Sequence, residues 1–397
     1  MKRIEAHRRL RLKRILIWGY DLFDWYFNRL LIICRTRLIR FKCSSNIKSV
    51  LIVRFSSLGD VLRATAIVDA LKEQNPNFRI DLLTSSGLED IFNDNPNVSQ
   101  IFTESALPNE SYDWILNLQV ADPAPTFLEY DRYLEILAQL QEKSPAAVFT
   151  GLHFKDRKLI QPHVRNMYCN TEIEELYRVA LLSPPPDAPL RPRLYGKKNY
   201  QRSEQVAERR RKIALFVGTP TAGAYDEGFR GYSVAYLKQL ALELSDLGGV
   251  ILFGSMTDRT EEERRELGEF LYGSPQISSL VNQTTLPELI DFLGSVDLVV
   301  CNDSGPLHIA IALQKDVIGM FVNTANSRLS ASSHVVPLNA FAPCSKTTWR
   351  WRHNCVGCSA SAYKFYGCNL KEFRYKQELL PVEDVLDAAR RLLRVGV

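Results

Sequence analysis

Short apolar runs alternate with amphipathic stretches along this chain from Val50 onward, the pattern of strands followed by helices in βαβ units. VLIVRF at 50–55 predicts a buried strand. The stretch after it carries Val61, Leu62, Ala64, Ile67, Val68 and Leu71, predicting a helix that starts near Asp60 and stops before Pro76. Further strands are expected at 80–83, 114–118 and 147–149, and helices at 127–140 and 174–182.

Five prolines in residues 183–196 give way to a highly charged run, which predicts a stiff linker and a domain boundary. A second series follows. Strands are expected at 212–218, 250–253, 297–301 and 316–321. Helices are expected at 234–247, 258–271, 285–293, from Pro306, and at 381–393, where Pro381 occupies the first turn. The chain thus divides into an extension of residues 1–46 and two α/β domains, 47–195 and 196–397, facing across a cleft. In parallel sheets of this kind, ligands bind at the carboxyl ends of strands. The strand-to-helix junctions are therefore where chemistry is expected.

Composition adjusts this picture only at the ends. With 397 residues and 46% hydrophobic positions, the chain can bury substantial cores and is neither disordered nor fibrous. The net charge of +5 is uneven: residues 1–46 hold twelve Lys/Arg against three Asp/Glu, so the body is slightly acidic. The apolar stretch 15–34 contains Asp21, Asp24 and Arg29, each costing roughly 3 kcal/mol near a bilayer centre, so a membrane span is not expected. Trp18, Phe23, Trp25, Tyr26 and Phe27 flanked by arginines predict instead an interfacial helix on an anionic membrane surface. No second basic stripe exists for nucleic acid. Eight cysteines are too few for a disulfide scaffold, and no stretch reads as a cleavable signal, so a cytoplasmic, membrane-peripheral protein is expected.

Three segments carry candidate chemistry. RFSSLGD places Arg54, Ser56, Ser57, Gly59 and Asp60 between the first strand and its helix. Asp60 reads either as an N-cap or as a carboxylate aimed into the cleft as a general base. NDSGPLH places Asp303, Ser304 and Gly305 after a strand, with His308 in the first turn beyond. Free N–H groups near Ser304, Gly305 and Leu307 would form a cradle for a diphosphate. Its spacing matches neither a Walker loop nor a dinucleotide fingerprint, which excludes those readings. The Gly-rich stretch 218–233 ends with Arg230, suited to a phosphate contact.

Near the C-terminus, Cys344, Cys355, Cys358 and Cys368 form C-x10-C-x2-C-x9-C within a loop-like stretch, 344–368. That spacing predicts a structural tetrathiolate site, with zinc the default and iron open, apart from the chemistry.

Together these segments resemble the heptosyltransferases, glycosyltransferase family nine. VLIVRFSSLGDVLRATAIVDALKEQNP is similar to that family's opening pattern, strand–R/K-x-S-S-x-G-D–helix, and NQTTLPELIDFLGSVDLVVCNDSGPLHIAIALQKDVIGMF to its nucleotide-sugar segment. The resemblance implies a GT-B fold of two Rossmann-like domains, acceptor first and nucleotide-sugar second. It implies an inverting, metal-independent transfer with no catalytic cofactor. Asp60 would be the base, and Arg230, the amides of Ser304 and Gly305, and His308 would stabilise the leaving diphosphate. Where the family has Lys-x-Trp-Pro, this chain reads Arg230-Gly231-Tyr232-Ser233, which moves the contact to Arg230. Asp258, Thr284 and Thr285 match positions near the nucleotide. The implied reaction moves heptose, or a related sugar, from an ADP-type donor to a lipopolysaccharide core or similar glycolipid. A protein acceptor of the autotransporter kind, and a binding protein without catalysis, are the competing readings.

Overall fold

The computed structural model describes residues 47–55, 57–118, 130–151, 176–177, 180, 192–195, 211–218, 232–257, 259–321, 334–339 and 380–394. The expected interfacial helix, Ser56, Arg230, Asp258 and the four C-terminal cysteines lie outside them.

Two wholly parallel sheets organise the chain. The first holds β1 (Ser49–Arg54), β2 (Arg79–Thr84), β3 (Gln100–Thr103), β4 (Trp114–Asn117) and β5 (Val148–Gly151), in the order β3-β2-β1-β4-β5. The second holds β6 (Lys212–Phe216), β7 (Gly249–Gly254), β8 (Ser278–Val281), β9 (Leu298–Asn302), β10 (Asp316–Phe321) and β11 (Val335–Asn339), in the order β11-β10-β9-β6-β7-β8. Among the described helices are α1 (Leu58–Gln74), α2 (Tyr130–Lys143), α3 (Val234–Leu244), α4 (Glu261–Gly273), α5 (Leu286–Ser295), α6 (Gly305–Ala312) and α7 (Val382–Leu393). Residues 176–177, inside the helix expected at 174–182, are helical.

The central strands read as continuous apolar runs because helices cover both faces of each sheet. Val50, Leu51, Ile52 and Val53 are fully buried, as are Leu298, Val299 and Val300. Tyr133, Ile136, Leu137 and Leu140 of α2 close one face of the first sheet. Residues of α3 and α7 close the outer face of the second. Between the sheets lies one shared apolar cluster that includes Val61 and Ile67 of α1 and Leu307 and Ala310 of α6. Both helices are buried on nearly every side for that reason, and they pack on each other.

In each sheet the strand order reverses once, between β1 and β4 and between β6 and β9. Each reversal is pinned at its amino end by an aspartate just before the second strand. Asp113 accepts from the backbone N–H of Lys48 and Ser49, both at 2.9 Å, and from the Ser49 hydroxyl. Asp297 accepts from the Lys212 N–H at 2.8 Å. The same device at both positions makes the two halves structural counterparts. The opposite, carboxyl ends of these strand pairs are the switch points where such sheets bind ligands.

Apart from the interfacial helix and the helix expected at 174–182, which lie wholly or mostly outside the described residues, the expected helices and inner strands are present, with ends shifted by a few residues. The short strands β3, β8 and β11 were not expected. The linker is docked where it is described: the Arg193 N–H donates to Thr65 Oγ1 at 2.9 Å, and the Tyr195 hydroxyl donates to Asp69 Oδ1 at 2.6 Å, both on α1.

Candidate active site

The two switch points meet through the amino ends of α1 and α6. Helix α1 begins at Leu58, with Ser57 as its N-cap residue, so Asp60 is the third helical residue. The N-cap reading of Asp60 is thereby corrected. The cap residue's hydroxyl donates to Asp60 Oδ2 at 2.9 Å, tying the carboxylate to the helix start. An acidic group in this first turn also faces the positive end of the helix dipole.

Two guanidinium groups stand behind the carboxylate. Arg54, at the end of β1, reaches Asp60 Oδ1 at 3.5 Å and donates to the Leu118 carbonyl beyond β4. Arg63, one turn along α1, donates from Nη1 to the same Oδ1 at 2.6 Å. The side chains of Arg54 and Arg63 are 2% and 3% exposed, whereas that of Asp60 is 24% exposed. The cations are inside and the carboxylate looks out. Such donors favour its ionised form.

From the second half, α6 begins after its N-cap residue Ser304 with Gly305 and Pro306, and His308 follows in the first turn. Arg63 Nη2 lies 3.0 Å from His308 Nε2, and that nitrogen is 3.7 Å from Asp303 Oδ1. A chain of contacts therefore runs from Asp60 through Arg63 and His308 to Asp303. The sequence-nominated carboxylates 60 and 303 belong to one cluster, built from both halves.

Two glycines permit the approach. A Cβ on Gly59 would come within 2.4 Å of His308 Cδ2, and one on Gly305 within 2.6 Å of Leu58 Cδ2. Each helix start receives a side chain from the other. At the second switch point, Asn302 donates to the Gly218 carbonyl at 3.3 Å, linking the ends of β9 and β6.

The anion cradle is narrower than expected. The Leu307 N–H turns inward to the Ser304 carbonyl at 3.1 Å, so it does not point out to a ligand. The Ser304 hydroxyl also faces in, donating to the Asn302 carbonyl at 3.2 Å and lying 3.1 Å from Cys301 Sγ. Burial pushes the Cys301 thiol well above its ordinary range, so it stays neutral here. Thr284 and Thr285 lie beyond β8, at the carboxyl edge of the second sheet. Thr285 makes a capping box with Glu288, whose carboxylate accepts from the Thr285 N–H and hydroxyl at 2.8 Å each. Those bonds hold Glu288 below the usual carboxylate range.

Sequence reasoning passed over two arginines. Arg63 is one; Arg259 is the other. Arg259 is buried and donates to the Val217 carbonyl from Nε at 3.0 Å and Nη2 at 2.9 Å, and to the Tyr232 carbonyl at 2.7 Å. It pins both ends of the segment that carries Arg230. An arginine inside a helical pattern reads as solvated surface, and only the spacing Asp60–Arg63, one helical turn, could have pointed to a partner.

A family model described as "Glycosyltransferase family 9 (heptosyltransferase)" matches residues 178–354. Over that stretch, somewhat under half of its length, the chain is similar to glycosyltransferase family 9. It is similar to the lipopolysaccharide core heptosyltransferase OpsX of Haemophilus influenzae, 22% identical over 286 residues, covering 69% of this chain and 79% of that one. Among solved structures, a glycosyl transferase family 9 protein of Veillonella parvula superposes with a TM-score of 0.59 at 16% identity, over 87% of this chain and 97% of that chain. The ADP-heptose lps heptosyltransferase II of E. coli does so with a TM-score of 0.55 at 15% identity, over 87% and 98%. The family's fold is GT-B, two parallel α/β halves, as observed here.

Proposed function

We propose that this chain is a family 9 glycosyltransferase that moves heptose, or a closely related sugar, from an ADP-sugar donor to a lipopolysaccharide core or similar glycolipid, with inversion at the anomeric carbon. The observation that carries the reading is Asp60. It is the outward-facing carboxylate of a buried cationic cluster, on the first sheet's switch point and in contact, through Arg63, with the second's.

In this mechanism an acceptor hydroxyl approaches Asp60 and gives its proton to the carboxylate as its oxygen forms the new bond to the anomeric carbon. The bond from that carbon to the diphosphate oxygen breaks on the opposite face, and its electron pair leaves with the nucleotide. General-base assistance of this kind is worth roughly 10²–10⁴-fold. Arg230 and the backbone N–H groups of Ser304 and Gly305 bear on the leaving diphosphate, with His308 as a hydrogen-bond donor beside them, so that positive charge is supplied by an arginine and a helix start rather than a catalytic metal ion. Asp258, Thr284 and Thr285 lie toward the nucleotide. Arg54, expected at the substrate, also orients the base, since its guanidinium engages Asp60 and the Leu118 carbonyl. The names of the relatives, a lipopolysaccharide core heptosyltransferase and an ADP-heptose enzyme, support the choice of donor and acceptor.

A mass-spectrometric assay of nucleotide sugars, with heptose-free lipopolysaccharide core and an autotransporter passenger protein as rival acceptors, tests this reading. Transfer from ADP-heptose to the core is expected. Transfer to the protein alone would move the acceptor, and release of no nucleotide from any donor would contradict catalysis.

We also place the enzyme at the cytoplasmic face of an anionic membrane, held by residues 1–46. No described helix is long and apolar enough to cross a membrane. Vesicle flotation should capture the chain, and replacing Arg8, Arg9 and Arg11 by Glu should release it; capture that survives this charge reversal contradicts the attachment.

A further inference from the structure

We propose that Arg63 is a positioning residue that couples the base of one half to the histidine of the other, so that Asp60 is fully oriented only when the two helix starts are together. The proposal rests on the reading of Asp60 as the base and adds a second residue to that site.

The chemistry of the guanidinium fixes the argument. Its nitrogens only donate, and it does not lose its proton in any working pH range. Nη1 donates to Asp60 Oδ1 and Nη2 faces His308 Nε2 at 3.0 Å. Nε2 therefore carries the lone pair, and the imidazole is neutral with its proton on Nδ1. A proton on Nε2 would set N–H against N–H. Among the described residues, the charged groups facing the ring include Arg63, with Asp60 and Arg54 behind it, from the first half, and Asp303 from its own side. Asp303 pulls toward the imidazolium; Arg63, closer to the same nitrogen, opposes it.

The fork also aims the carboxylate. Arg63 and Arg54 both engage Oδ1, and the Ser57 hydroxyl donates to Oδ2, so the carboxylate's plane is set from the side of α1. One arm of the fork ends on α1 and the other on α6, so losing the apposition of these helices frees the guanidinium that holds Oδ1. A lysine at 63 supplies a point charge for Asp60 but no planar pair of donors. That difference separates coupling from simple charge compensation.

The full chain labelled with ¹⁵N-histidine provides the test, in wild type, Arg63→Gln and Arg63→Lys. There are six histidines, and His308→Gln assigns the signal. Wild type should show His308 neutral with an unprotonated Nε2 at neutral pH, and both Arg63 variants should lose that tautomer. With ADP-heptose and heptose-free core, Arg63→Gln should lower kcat by about 10²-fold with little change in KM, as for a misaligned group. Its acid limb in kcat/KM should move to higher pH, because a cation facing Asp60 is gone. Arg63→Lys should keep the wild-type acid limb and still lose kcat. Wild-type kcat and an unchanged His308 signal in Arg63→Lys would overturn the proposal, as would an Nε2-protonated His308 in the wild type. If Asp60→Asn is inactive while Arg63→Gln leaves the His308 signal intact, the base stands and the coupling falls. Full activity of Asp60→Asn removes the base itself, whatever the histidine shows.

Discussion

Gly59 on α1 lies against the ring of His308 on α6, so closely that a methyl group there would sit 2.4 Å from His308 Cδ2. The contact joins the two halves at the point where their candidate chemistry converges. It also makes opposite forecasts for two helical glycines.

In a helix interior, Gly→Ala ordinarily gains up to about 1 kcal/mol of helix stability. Gly268 of α4 has nothing within 4 Å of an added Cβ, so Gly268→Ala should raise the thermal midpoint. Gly59→Ala should lower it, since overpacking costs typically 1–3 kcal/mol, and should reduce transfer by displacing His308. Thermal unfolding of the two variants side by side checks this; equal stabilisation of both would contradict the tight apposition.

Arg259 holds the carbonyls of Val217 and Tyr232, the two ends of the segment bearing Arg230. Arg259→Met keeps the apolar stem and strands both buried acceptors, at a cost of ~2 kcal/mol or more. KM for the ADP-sugar should rise more than kcat falls. Unfolding curves with steady-state kinetics give both numbers, and an unchanged KM would separate this strut from donor binding.

Asp113 gives a pH forecast. Burial, the largest single influence, pushes its pKa up, but the N–H groups of Lys48 and Ser49 and the Ser49 hydroxyl together outweigh it and hold the carboxyl below the usual aspartate range. A depressed carboxylate contributes stability that is present above its unfolded value, about 4, and is lost as pH falls through the lower folded value. Asp113→Asn should therefore be less stable than wild type at neutral pH, with the gap narrowing in acid. Denaturant midpoints across pH 2–7 would show it; a constant gap would mean the charge is irrelevant.

The four C-terminal cysteines should bind about one zinc or iron per chain, seen by elemental analysis of purified protein, and Cys355→Ser with Cys358→Ser should lose it. Metal-free protein with unaltered folding would remove this proposal.

Much of this architecture was legible because fully buried parallel strands leave an unmistakable mark. VLIVRF and DLVVC are apolar without alternation, and the small residues after them announce junctions. The strands β3, β8 and β11 escaped because they are short, partly exposed and at or next to sheet edges, where no apolar pattern is required. At the site, Asp60, Asp303 and His308 were nominated by residue type and place. Their connection was not, because it runs through Arg63, an arginine buried on a helix that is enclosed by the opposite half. The inward bond of the Ser304 hydroxyl to the Asn302 carbonyl was equally illegible, because it is set by the turn between β9 and α6 rather than by composition.

The most direct test of the whole account is single-turnover transfer from ADP-heptose to heptose-free lipopolysaccharide core by wild type and by Asp60→Asn, with ADP affinity measured alongside. An isosteric amide keeps the shape and cannot take the proton. The account predicts a loss of at least ~10²-fold in the transfer rate with ADP affinity nearly unchanged. Transfer by Asp60→Asn at the wild-type rate would contradict it.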